Sequence, residues 1–354
     1  MKRLALILAI LLILTLVVGC NNTNSQVDNE LENKESTDKE KAGSEMDPVD
    51  FAKYKGDWKI VVAVNEGLYL MTALEEYFGT TGINIVENNN GVIKGSIYSV
   101  QGAPSYRQAE VAFTGNIEDG KLRASYEDEG WEYTGNIELT FVQEKIQAKI
   151  SRDEVDITPM WGIPEGEFTF VKPIETEKVN MTDEEKEAIE QFLFPAAKDR
   201  LGPFVEGDLT DEIIINFVGY NLALGFLDTS GFGDKVEEGV DIVFDVSVMD
   251  ELAKKYFGVE IKEHKAVDIT AYEKGKYTVP AVGGVSEYPK VRILLEDMQN
   301  KGIYYAIVDY MFEYPEDGEK MEYQRLIKMQ KNNAYVVKEI QEIEYPIDFS
   351  YLNP

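Results

Sequence analysis

The chain has 354 residues, 65 of them acidic and 35 basic, for a formal charge of −30 at neutral pH. Such a balance repels polyanions, so it excludes nucleic acid as a partner and excludes docking on anionic lipid or wall polymers by charge alone. A single Cys and a single His also remove disulfides, His-based triads, Cys–His dyads and multi-His zinc sites.

At the N-terminus, Lys2 and Arg3 precede an apolar run over 4–18, shorter than the roughly 20 residues a spanning helix needs. A basic start, an apolar middle and small residues before a cut site form an export signal. Val17-Val18-Gly19-Cys20 resembles the bacterial lipobox. The resemblance implies diacylglyceryl transfer to the Cys20 thiol and cleavage after Gly19, so that residues 1–19 are a signal peptide. It also implies attachment to the cell membrane through the lipid on Cys20, facing the extracytoplasmic side. Two acyl chains anchor stably where one is marginal. Loss of Lys2 and Arg3 takes the charge from −30 to −32. Residues 21–50 hold almost no large apolar side chains, so 20–50 is expected to be a lipidated Cys followed by a disordered acidic tether. Its reach is roughly 30 Å. Asn21 rather than Asp follows the lipid site, and the richness in Ile, Lys, Asn and Glu resembles Gram-positive lipoproteins.

About 300 residues remain, a length suited to two domains. Pro159, Pro164 and Pro173 cluster before an acidic helix start, which predicts one domain over 51–174 and another over 181–354.

In the first, Lys55-Gly56-Asp57-Trp58 opens a strand, and 66–78 predicts a short helix stopping at Gly79. Strict alternation over 92–150 predicts antiparallel strands with Trp131, Tyr133, Gly135, Ile137, Leu139 and Phe141 on the buried face. Gly95-Ser96-Ile97, Gly115-Asn116-Ile117 and Gly135-Asn136-Ile137 recur every 20 residues. This places the glycines at equivalent points of successive strands, where a sheet curls into an all-β up-and-down barrel. A Gly-x-Trp at 56–58 ahead of such a meander resembles the lipocalin and calycin group, over residues 51–172. That resemblance implies that Trp58 packs across one end of the barrel under a basic residue from a late strand, with Arg152 as the candidate. The interior is either filled by Phe113, Tyr126, Trp131, Tyr133, Leu139 and Phe141 or holds a ligand cavity.

The second domain reads as helices packed on an antiparallel meander, an α+β arrangement. Thr182-Asp183-Glu184-Glu185 is a capping box, with Ile189, Phe192 and Leu193 on one face, and Pro195 ends the helix. A second helix is predicted over 211–225. A third is predicted with Ser247 as cap, Asp250 at the box position, Val248, Leu252 and Tyr256 on one side and Gly258 as stop. Strands follow at 289–297, 302–313, 319–329 and 334–343. Met321, Tyr323, Ile327 and Met329 are expected inward, and Glu322, Gln324, Lys328 and Gln330 outward. The order is similar to cystatin or NTF2-like rolls, a likeness of fold that carries no function.

The chemistry-bearing residues are few. His264 sits among Lys262, Glu263 and Lys265 and is expected at the surface. Asp228-Thr229-Ser230-Gly231-Phe232-Gly233-Asp234 offers oxygen ligands for calcium but lacks the distal Glu of an EF-hand, and reads first as a turn. Gly231-Phe232-Gly233 lacks the spacing of a phosphate loop. No catalytic, cofactor-binding or metal residue is assigned, and Cys20 alone is assigned, for lipid. The expected function is a membrane-anchored extracytoplasmic lipoprotein acting as a non-catalytic binding or assembly module. Cationic, peptide and glycan partners are open. Two alternatives stand beside it: a carboxylate-dependent hydrolase of cell-wall glycan, and the solute-binding lipoprotein of a transporter.

Overall fold

A computed structural model of the chain describes residues 51–349, apart from 63–65, 90–91, 119, 131, 154–160, 283–286 and 315–317. The signal peptide, Cys20, the tether and Trp131 lie outside the described residues.

Eight strands, β1 (Gly56–Ile60), β2 (Gly79–Asn89), β3 (Val92–Gln101), β4 (Gln108–Glu118), β5 (Lys121–Asp128), β6 (Tyr133–Val142), β7 (Lys145–Arg152) and β8 (Gly166–Val171), close into an antiparallel barrel in chain order. The last strand returns to the first through Lys59↔Val171 and Ile60↔Phe170. Alternation is the cause: along β6 every second residue is buried, along β4 every second residue is buried or half-buried, and the residues between them are exposed or half-buried. The inward set, including Trp58, Ile97, Phe113, Tyr126, Tyr133, Leu139, Phe141 and Phe170, forms one contiguous apolar cluster inside the barrel. The architecture is compatible with a lipocalin-like barrel.

Two finer expectations are corrected. The cation over Trp58 is Lys172, whose Nζ lies 4.3 Å from the ring centre, while Arg152 lies 4.1 Å from the ring of Tyr133. Register decides this. Trp58 is on β1, and β1 pairs with the end of β8 that leads into Lys172. Arg152 ends β7, which meets the opposite end of β8 through Ile150↔Gly166. The glycines fall on β3, β4 and β6 rather than on successive strands, because 20 residues span one long loop in the first interval and a whole extra strand in the second. Their packing role is nevertheless definite. Gly95 faces Phe113 and Gly135 faces Tyr126 in the ladders, and a Cβ on either would lie 2.3 or 2.2 Å from a backbone carbonyl oxygen.

The segment 66–78 is broken rather than one helix. At Met71 the backbone turns extended (φ −79°, ψ 121°) and bridges Ile174, with Thr72 N donating to Ile174 O at 3.0 Å and Ile174 N to Leu70 O at 2.8 Å. Pairing with a distant strand-like residue thus replaces the helical bonds. Gly79, at φ +71°, ends the segment as expected.

Beyond the barrel come β9 (Thr176–Lys178), α1 (Asp183–Leu193), α2 (Asp211–Ala223), β10 (Val236–Glu238), β11 (Asp241–Asp245), α3 (Val246–Phe257), β12 (Ala271–Glu273) and β13 (Lys276–Pro280). The chain then forms β14 (Tyr288–Asp297), β15 (Ile303–Tyr314), β16 (Gly318–Lys331) and β17 (Tyr335–Glu342). The five-stranded sheet has the order β17-β16-β15-β14-β9, and a smaller sheet runs β10-β11-β13-β12. The expected meander is the first four of these five strands, and the smaller sheet was not foreseen. The capping box at Thr182 is formed with Glu185, and Gly258 closes α3 in the left-handed conformation. Ser247 is inside α3, not its cap: β11 runs directly into the helix, so Asp245 takes the cap position.

The five-stranded sheet is covered on both faces. On one, the three helices bury Ile189, Leu193, Phe217, Leu252 and Phe257 with Ala306, Val308, Ile327 and Met329. On the other, Leu68, Met71 and Leu74 of the broken segment bury Ile293, Leu295, Ile307 and Leu326, with Ile343 from beyond β17. The stretch expected to link two domains therefore holds a strand of this sheet, and residues 49–354 cluster as one compact unit. Double coverage also corrects the facing of β16. Gln324, expected outward, is 1% exposed, and Met321, expected inward, is 40% exposed. A β-bulge across from Tyr310 and Met311, with Glu322 as the extra residue, changes which face Met321 takes.

Candidate functional site

The residues singled out in the sequence are not brought together. Cys20 lies outside the described residues. His264 is not a free surface side chain: it is half-buried, with Nδ1 3.0 Å from Tyr277 Oη and Nε2 3.4 Å from Asp250 Oδ1. It ties α3 to β13, and the buried Tyr277 hydroxyl, whose pKa burial pushes up, is closed to substrate. The loop at 228–234 closes on itself, with Ser230 N donating to Asp228 Oδ1 at 2.9 Å and Thr229 to Glu238 at 2.9 Å. Among the described residues no group of three His, Cys, Asp or Glu side chains could hold a metal ion.

The site that the structure does build lies at the edge of the five-stranded sheet. A cleft of about 530 Å³ is lined by Lys178 of β9, Lys186 of α1, Arg292 of β14, Asp309 of β15 and Met321 of β16. Tyr77 of the broken segment and the chain from Pro346 to Phe349 complete the wall. Two irregularities of the sheet shape it. In β14, Val291 pairs with Val308 and Ile293 with Ile307, so Arg292 is the extra residue of a bulge. Val291 N donates to Glu190 Oε1 of α1, at 2.8 Å. Bulges re-aim side chains, and the second, at Glu322, turns Met321 to the cleft.

A buried polar chain sets the floor. Asp309 is 2% exposed and accepts from Arg292 Nε through Oδ2 and from Gln324 Nε2 through Oδ1, the latter at 2.7 Å. Gln324 stands opposite Asp309 in the β15–β16 ladder and holds Ile347 by both backbone groups. Ile347 N donates to Oε1 at 2.9 Å, and Nε2 donates to Ile347 O at 3.4 Å. Phe349 meets Tyr77 edge to face at 5.3 Å, and burial, aided by Glu76, pushes the Tyr77 phenol up to about 12. Arg292, Asp309, Gln324 and the terminal segment thus form one connected unit. Sequence reading missed it because Arg292 and Asp309 sit 17 residues apart on two strands, and only the bulge and the ladder bring them together.

Chemically the cleft can bind and orient an uncharged or anionic organic ligand against a fixed guanidinium and an aromatic and aliphatic wall. Its buried carboxylate has both oxygens occupied by donors. Comparison of the chain with protein-family models, with curated proteins and with solved structures gives no match.

Proposed function

We propose that the protein is a membrane-anchored extracytoplasmic lipoprotein that works by binding rather than by turnover. Anchoring rests on the lipobox at Val17-Val18-Gly19-Cys20. Binding rests on one observation, the cleft of about 530 Å³ whose guanidinium is placed by a bulge and a buried Asp309–Gln324 pair. Its volume is within the range of small-ligand sites, about 300–1,000 Å³. Fixed donors and acceptors in a rigid sheet suit recognition, since they lose little freedom when a ligand arrives. A carboxylate with both oxygens already engaged suits holding a cation in place and does not suit proton transfer. The likeness of the barrel to the lipocalin group, supported by Gly56-Asp57-Trp58 and the closed meander, and of the remainder to cystatin or NTF2-like rolls, supported by helices followed by an antiparallel meander, is part of the same proposal.

Two measurements test it. Cys20→Ser is expected to abolish incorporation of a clickable fatty acid and to leave the precursor uncleaved; undiminished label would end the anchoring half. The purified full chain is expected to leave wall glycan, peptide and ester substrates intact. Turnover that disappears in Asp348→Asn or Asp309→Asn would replace the binding module by the carboxylate hydrolase.

A further inference from the structure

We infer that the cleft at the sheet edge recognises the single carboxylate of an organic ligand with an apolar neighbouring group, Arg292, Lys178 and Lys186 receiving the charge. The inference rests on the binding reading above and names the ligand class for that site.

Charge carries it first. The chain as a whole is strongly acidic, yet the charged groups lining this cleft are Lys178, Lys186 and Arg292 against Asp309 and Asp348. Three cations against two carboxylates leave one positive charge, which matches a monoanion and not a phosphate dianion. The surrounding field of a −30 chain further disfavours multiply charged anions.

Pairing carries it second. Among the described residues, Lys178 and Lys186 make no ion pair, whereas many other lysines of the chain, among them Lys121, Lys198, Lys265 and Lys328, do. Asp309 takes Nε of Arg292, and among the described residues no partner takes its terminal nitrogens. A guanidinium fixed at Nε keeps its other donors in a planar fork, the geometry that receives a carboxylate. The buried Asp309 and Gln324 are positioning residues that hold this fork without meeting the ligand.

The walls carry it third. Tyr77, Val291, Met321, Pro346, Ile347 and Phe349 supply apolar surface next to the cations, which selects an anion with an apolar body over a bare inorganic ion. Two sources share this chemistry, the C-terminal end of a peptide and a free aliphatic acid.

The test is calorimetric titration of the full chain with N-acetyl-Ala-Phe, its C-terminal amide, octanoate and inorganic phosphate. The free acid is expected to bind and the amide to bind at least about tenfold more weakly, the loss of one charge-assisted hydrogen bond or more. Affinity is expected to fall as salt is raised from about 50 to about 500 mM. Tighter binding of the dipeptide than of octanoate assigns the peptide end, and the reverse assigns the aliphatic acid; both sustain the inference. Arg292→Ala removes a partner of buried Asp309 and could unfold the edge, so the deciding variant is the double substitution Lys178→Gln, Lys186→Gln. It is expected to weaken the acid about tenfold and to leave the amide unchanged. Equal binding of acid and amide, tighter binding of phosphate, or no heat with either acid overturns the inference. None of those results overturns the binding module itself, which falls only to turnover in the substrate panel.

Discussion

Lys59 is a fully buried charged side chain, whose placement costs the fold. It points outward from β1, yet the broken segment covers it completely, and it forms an ion pair with Glu75. Burial lowers its pKa to about 8, against the opposing pull of Asp57 and Glu175. The sign of the consequence follows from proton counting. In the unfolded chain a lysine keeps its proton to about pH 10.4. Between pH 8 and that value the unfolded state therefore binds more protons, and stability rises with pH. Lys172, also lowered by burial, acts in the same direction. The tyrosines whose phenols are raised act in the opposite one, but only near pH 10 and above. Denaturant midpoints measured from pH 7 to 9.5 are therefore expected to climb above pH 8 in the native chain and to climb less in Lys59→Met. Parallel curves would mean that the ammonium keeps its charge under the segment.

Residues of this kind were the least legible in the sequence. The resemblance to the lipocalin group implies that Trp58 packs across one end of the barrel, but which cation lies over it depends on where β8 ends. The context of His264, three charged neighbours, reads as solvated; Asp250 and Tyr277 reach it from 14 and 13 residues away.

At the scale of elements, alternation and capping were enough where one face is wet. The barrel strands between 92 and 150, the box at Thr182, the stop at Gly258 and the four late strands all follow from local pattern. Pattern failed where two faces are covered. Gln324 has the polarity of an outward residue and is buried by the chain end that folds over it. The segment 66–78 has helical composition, and pairing of Met71 with Ile174 interrupts it. The glycine repeat was visible and its periodicity misread, but its packing can be ranked. A Cβ at Gly135 would lie 2.2 Å from Ser151 O and against the Tyr126 ring, while one at Gly115 would lie 2.9 Å from Arg123 O and 3.0 Å from Leu122 Cγ. Gly135→Ala is expected to cost about 1–3 kcal/mol and Gly115→Ala less, both by overpacking. Chemical denaturation of the two variants checks the order; equal losses would mean that the barrel wall yields freely at both places.

For the molecule as a whole, the cleft is not visible before the strands are paired. Its lining comes from seven parts of the chain between Tyr77 and Phe349, so no window of sequence contains it. The same dispersion bears on how the chain matures. Leu68, Met71 and Leu74 precede most of the barrel, but the surface they lie on is made by β14, β15 and β16 and by Ile343. A chain made from its N-terminus at about 5–20 residues per second exposes these side chains roughly 15–50 s before Ile343 appears. Once Val171 has been made the barrel has all its own strands, and for the rest of that interval the segment between β1 and β2 is an uncovered apolar flap. The flap stays uncovered until the late strands of the sheet and Ile343 are in place.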